Sequence, residues 1–114
     1  MTTVMVKTPA DYTQTDWSGG ETNQLFLYPE KGDYKERTFS YRLSTATVAL
    51  RQTTFTRLDG YHRILMSLDK PITLSDLSHA KEISLAPFEP YAFEGDTRIV
   101  SRGTCQDINL MYDD

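Results

Sequence analysis

Arg42 and Arg63 are the residues of this chain best suited to recognition chemistry. A guanidinium holds a carboxylate through paired hydrogen bonds that lysine cannot reproduce. Arg42 sits inside the run Phe39 to Leu50, which contains neither Gly nor Pro and is rich in strand-forming residues. Side chains alternate along a strand, so Arg42, Ser44, Ala46 and Val48 are predicted to share one face. Arg63 lies just after a turn, in Gly60-Tyr61-His62-Arg63-Ile64-Leu65. Asn109, on the same predicted strand face as Asp107 and Met111, adds an amide that can both donate and accept. Together Arg42, Arg63, Ser44 and Asn109 describe a site for a small anionic metabolite. The same arginines could instead pair with Asp107 or Asp96 and close a polar network within the fold, and the residues leave both readings open.

Other chemistries find less support. Only two histidines are present; His62 and His79 are far apart in sequence and form no His-x-His pattern, so no metal centre or cofactor is expected. Cys105 is the only cysteine and has no flanking context that would activate it, which makes it a packing residue. No serine lies in a Gly-x-Ser-x-Gly elbow. An isomerase or hydrolase would need His62 as its base, yet a regular strand points His62 away from Arg63. No catalytic residue is therefore assigned. A protein-interaction module without a ligand is the remaining alternative. Trp17-Ser18-Gly19-Gly20-Glu21-Thr22 reads as a hairpin turn anchored by Trp17.

Many short elements must position these side chains. Turn signals recur at Gly19-Gly20, Gly32-Asp33, Asp59-Gly60, Asp69-Lys70-Pro71, Pro87 to Pro90, Gly95-Asp96 and Arg102-Gly103. Between them, strands are predicted over 4–7, 24–28, 38–50, 53–58, 61–68, 72–74, 82–85, 91–93, 98–101 and 106–111. This spacing describes an antiparallel sandwich or barrel. The single helical candidate is a short turn over 75–81, capped by Ser75. Within 38–50 the apolar positions change from odd to even, which predicts a β-bulge near Ser44 and Thr45 or burial on both faces.

At 114 residues the chain is expected to form one domain over 1–114. A net charge of −4 with scattered basic residues argues against nucleic-acid or membrane-surface binding. The lone cysteine, the absence of a signal-peptide pattern and the lack of a long apolar stretch together predict a cytoplasmic location.

Five segments resemble the HutD/Ves family in order and register. They are Trp17-Ser18-Gly19-Gly20-Glu21-Thr22, Tyr41-Arg42-Leu43-Ser44-Thr45-Ala46, Phe55-Thr56-Arg57-Leu58-Asp59-Gly60-Tyr61-His62-Arg63, Phe93-Glu94-Gly95-Asp96 and Asp107-Ile108-Asn109-Leu110-Met111. The chain differs from the family pattern in having Tyr41 for Trp, Thr56 for Ser and Leu58 for Phe. The resemblance implies a cupin-type β-barrel without the usual cupin metal ligands, and a link to histidine utilisation through binding of an intermediate such as formylglutamate. It also draws Trp17, Thr22, His62, Asp96 and Asp107 into the surrounding network. Family members commonly fold as two cupin-like halves. Here a homodimer is expected to stand in for the second half, each barrel covering an apolar face of the other.

Overall fold

A computed structural model describes residues 13–17 (backbone only), 20–29, 31–34 and 36–113. The strands are β1 (Thr13–Trp17), β2 (Gly20–Tyr28), β3 (Tyr41–Val48), β4 (Gln52–Thr54) and β5 (His62–Ser67), followed by β6 (Ile72–Asp76), β7 (Lys81–Leu85), β8 (Tyr91–Glu94), β9 (Ile99–Arg102) and β10 (Cys105–Tyr112). They form two antiparallel sheets, one ordered β1-β2-β3-β10-β5-β8 and the other β4-β9-β6-β7. The all-β, antiparallel architecture expected from the turn spacing is present. Its strands divide between two sheets and do not close into one continuous ladder.

β10 is the centre of the larger sheet. It pairs with β3 along its whole length and with β5 on its other side. Its inward positions run Cys105, Asp107, Asn109 and Met111, and this order divides the interior. Cys105 belongs to an apolar cluster with Val48, Leu65, Ile72, Leu74, Leu85 and Ile99, which joins the two sheets. Met111 belongs to a second cluster with Phe39, Leu58 and Tyr61. Full burial of one such side chain contributes about 1.5–3 kcal/mol, so each cluster is a substantial anchor. Between the two anchors, Asp107 and Asn109 face a polar interior.

Three expectations are corrected. β3 carries no bulge: its register with β10 is continuous from Tyr41 to Val48. The irregularity lies on β2, between Gln24 and Phe26. The other alternative for the change of apolar phase, packing on both faces of β3, fits better: on its second face Leu43 is half-buried and Tyr41 stacks between Phe26 and Tyr28.

The predicted helical turn over 75–81 is instead the hairpin between β6 and β7. Ser75 and Asp76 remain in β6, and Asp76 Oδ1 accepts the His79 backbone N–H at 3.0 Å. Short polar side chains serve helix caps and tight turns by the same backbone hydrogen bonds, which explains the misreading. The strand predicted over 53–58 leaves the sheet after Thr54, and Arg63 takes up one of the carbonyls freed there.

The predicted strand over 4–7 lies outside the described residues. The Trp17–Thr22 segment is a hairpin, as expected, with Trp17 paired to Gly20 across a two-residue connection. Gly20 has a φ of 147°, and a Cβ there would fall 1.7 Å from the carbonyl oxygen of Thr47. Only glycine admits this approach of β2 to β3.

Candidate functional site

Strand register assembles the site. Arg42 of β3 and Arg63 of β5 both stand opposite Met111 of β10, so the three form one row across adjacent strands. The next row is Ser44, Asn109 and Leu65, and the one after it Ala46, Asp107 and Ser67. Neighbouring strands are about 4.8 Å apart, which places the two arginine backbones roughly 10 Å from each other. Apart from Leu65 and Ser67, these rows line a cavity of about 660 Å³, to which Thr53, Phe55 and Thr56 also contribute. Thr22 and Gln24 of β2 extend this lining.

Both arginines are removed from water. Arg42 is 8% exposed. Its Nε donates to Gln24 Oε1 at 2.9 Å, and its guanidinium lies 4.1 Å from the ring centre of Tyr34. Burial pulls its pKa down; Tyr34 opposes that shift and Arg37 adds to it. Arg63 is 4% exposed and donates to the carbonyl of Thr56 at 2.9 Å and to Asn109 Oδ1 at 3.4 Å. Phe55 and Phe93 lie against its guanidinium at 5.4 and 5.2 Å. Burial lowers its pKa to about 10, with Tyr34 and Asp107 opposing and Arg42 reinforcing.

Among the described residues neither guanidinium forms an ion pair with a carboxylate. Internal pairing of Arg42 or Arg63 with Asp107 or Asp96, the alternative left open by the sequence, is not what the chain adopts. Asp107 is 3% exposed and lines the cavity, and its Oδ1 has no hydrogen-bond partner. Burial pushes its pKa up to about 7 against the pull of Arg63. Asp96 is exposed in the turn after β8, where its backbone carbonyl accepts Arg57 Nε at 3.1 Å. Its side chain does not line the cavity.

The HutD family model matches residues 9–114. The chain belongs to the HutD family. No curated protein matches it. HutD from Pseudomonas fluorescens SBW25 is 27% identical and superposes with a TM-score of 0.78, over 94% of this chain and 59% of that one. A conserved protein of unknown function from Pseudomonas aeruginosa PAO1 is 28% identical with a TM-score of 0.79, over 93% of this chain and 55% of that one. This chain thus spans less than two thirds of either structure. Ectoine synthase from P. lautus, at 10% identity, has a TM-score of 0.72 over 96% of this chain and 78% of that one. Likeness at that identity concerns the fold alone, and it is the cupin fold.

In this HutD-family chain the remaining sequence candidates fall away from the arginine row or beside it. Ser44 is buried in the cavity wall, and Thr22 lies on β2 opposite Ala46. The Trp17 side chain lies outside the described residues. His62 projects from the other face of β5, with its Nδ1 2.7 Å from Glu94 Oε2 and its ring 5.1 Å from that of Tyr112. His79 pairs with Asp76 at 2.8 Å. Both histidines border a second, smaller cleft of about 310 Å³, a proximity that their sequence spacing concealed. Among the described residues no group of three or more His, Cys, Asp or Glu could hold a metal ion. Burial pushes the Cys105 thiol up to about 11, so it stays protonated and unreactive at neutral pH. No helix of the described residues is long and apolar enough to cross a membrane.

Gln24, Tyr34, Thr53 and Thr56 complete the site and were not foreseen from sequence. Gln24 directly precedes the β2 irregularity, and Tyr34 comes from the segment between β2 and β3. Thr56 contributes a backbone carbonyl, which carries no sequence signal. For Thr53, a threonine among others in a predicted strand, nothing in the sequence marks it out.

Proposed function

We propose that this protein binds a small anionic metabolite in the cavity between its sheets, with an accessory or regulatory role. One observation carries the reading: two buried arginines face a single cavity, and among the described residues neither meets a carboxylate. A buried charge is costly unless paired, so a carboxylate-bearing ligand is the natural counterpart to this arrangement. The cavity volume falls in the range of small-molecule sites, and apolar walls with a few placed polar groups fit that use. Arg42 and Arg63 would hold carboxylates, while Ser44 and Asn109 would orient the rest of the molecule. A dicarboxylate of the formylglutamate type matches the paired cations and the histidine-utilisation link that family membership suggests.

The test is a thermal-shift screen of acidic metabolites, with formylglutamate, glutamate and urocanate included. A ligand that binds the folded state raises the melting temperature in proportion to its saturation. The expected result is stabilisation by a dicarboxylate that disappears in Arg42→Ala while the variant stays folded. Failure of every acid to stabilise the wild-type chain, or unfolding of Arg42→Ala with no ligand found, would sink the reading.

A further inference from the structure

Among the described residues three buried side-chain atoms have no hydrogen-bond partner: Thr53 Oγ1, Arg63 Nε and Asp107 Oδ1. All three belong to residues lining the 660 Å³ cavity. Buried polar atoms in folded proteins are nearly always satisfied, so such a cluster marks where a polar occupant belongs. The three atoms ask for different things. Arg63 Nε can only donate, Asp107 accepts when ionised and can donate once protonated, and the Thr53 hydroxyl can do either.

The cavity wall is graded in the same sense. Along β10 it passes from the cationic row of Arg42 and Arg63, through the Ser44–Asn109 row, which can donate and accept, to Asp107. A plain dicarboxylate offers acceptors at both ends. It suits the arginines but meets an ionised Asp107 acceptor to acceptor and like charge to like charge, so Asp107 must first take up a proton.

Resting on the reading of this cavity as an anion site, we infer that the ligand is a bipolar acid: a carboxylate for the arginine row, and its own O–H or N–H donor for Asp107. Asp107 is then the residue that sets specificity. Hydroxy acids and N-acyl amino acids belong to this class, and glutarate does not. A site built to hydrogen-bond a ligand donor rejects the analogue lacking that donor, because its own buried group is left unpaired.

The charged and titratable groups around Asp107 are few. Arg63 faces it from β5 and the Cys105 thiol shares its strand face, while Ala46 of β3 and Thr53 of β4 are neutral. Arg42 and Asp33 lie elsewhere in the cavity lining. A ligand donor favours ionised Asp107, so binding near pH 7 should release protons; a plain dicarboxylate should cause uptake.

The experiment is titration calorimetry at pH 7 in two buffers of different ionisation heat. Glutarate, 2-hydroxyglutarate and N-formylglutamate are compared on the wild type and on Asp107→Asn, which keeps the shape of the side chain. The expected result is that the donor-bearing acids bind several-fold more tightly than glutarate, with proton release. Asp107→Asn should lose both the release and most of the preference. Equal affinity for glutarate, proton uptake with the donor-bearing acids, or an unchanged preference in Asp107→Asn would overturn the inference and leave the anion site standing. Binding of no acid at all would overturn both.

Discussion

Arg42 and Arg63 occupy equivalent positions on the two strands that flank β10, each directly opposite Met111. Two buried cations across one intervening strand are an unfavourable pair, since each lowers the stability of the other's charge. A carboxylate between them would relieve that repulsion and the burial penalty together. Arg63→Lys is therefore expected to lose most ligand stabilisation even though it keeps the charge. A lysine ammonium cannot reproduce the planar fork, nor hold Thr56 and Asn109 while presenting a further donor. The change in melting temperature with formylglutamate, compared between Arg63→Lys and wild type, tests this. Retention of the full shift would mean that charge alone suffices.

The same arrangement predicts a trade between binding and stability. Replacing Arg63 by Met fills a similar apolar path between Phe55 and Phe93 and removes a buried charge that has no ionic partner. Arg63→Met is expected to raise the stability of the ligand-free protein by about 1–3 kcal/mol while abolishing acid binding. Urea denaturation midpoints without ligand provide the measurement. A loss of stability of that size would identify Arg63 as a structural strut.

Much of this site was legible in the sequence because strand alternation is rigid. Once Phe39 to Leu50 and Gln106 to Met111 are read as strands, Arg42 must share a face with Ser44, and Asp107 with Asn109 and Met111. The same rule placed His62 opposite to Arg63. Local patterning could not say that β3 and β5 would both lie against β10, because strand order is settled by contacts distant in sequence. Nor could it decide between an internal partner and a cavity for the arginines. That depended on Asp96 turning outward at the end of β8, and on Asp107 standing two rows from the guanidiniums.

Gly95 holds that turn in place. A Cβ added there would lie 2.2 Å from the carbonyl oxygen of Leu58 and 2.8 Å from that of Tyr61. Both neighbours are backbone, fixed by the bonds Leu58 N–H to Gly95 O and Gly95 N–H to Tyr61 O, each 2.7 Å long. Because β5 begins at His62, displacement of Tyr61 would disturb the strand that carries Arg63. Gly95→Ala is expected to cost about 2 kcal/mol or more in unfolding free energy and to weaken acid binding. A variant as stable as wild type would show that the turn can open without consequence.

His62 gives a control on the other side of the same strand. Its imidazole lies against Glu94 and Tyr112, on the face of β5 that turns away from the arginine row. His62→Asn is expected to leave the ligand-induced rise in melting temperature within about 1 °C of wild type, because His62 does not line the arginine cavity. If the variant lost the shift, the enzyme-like reading with His62 in the site would gain ground.

Asp107 makes stability depend on pH in a direction opposite to that of a salt-bridged carboxylate. Burial raises its pKa from 3.8 to about 7, while in the unfolded chain it ionises near the ordinary aspartate value of about 3.9. Between roughly pH 4 and 7 the folded protein therefore holds a proton that the unfolded chain has released. The stabilising contribution is fully present below about pH 4. It is lost as the pH rises toward 7, and above that the contribution is level. Asp107→Asn removes the titrating group and keeps the shape, so it should flatten this slope and make the ligand-free protein more stable than wild type at pH 8. Urea midpoints of both proteins at pH 5 and pH 8 provide the check. Equal pH dependence in the two would mean that Asp107 is ionised throughout, and that Arg63 outweighs burial in setting its charge.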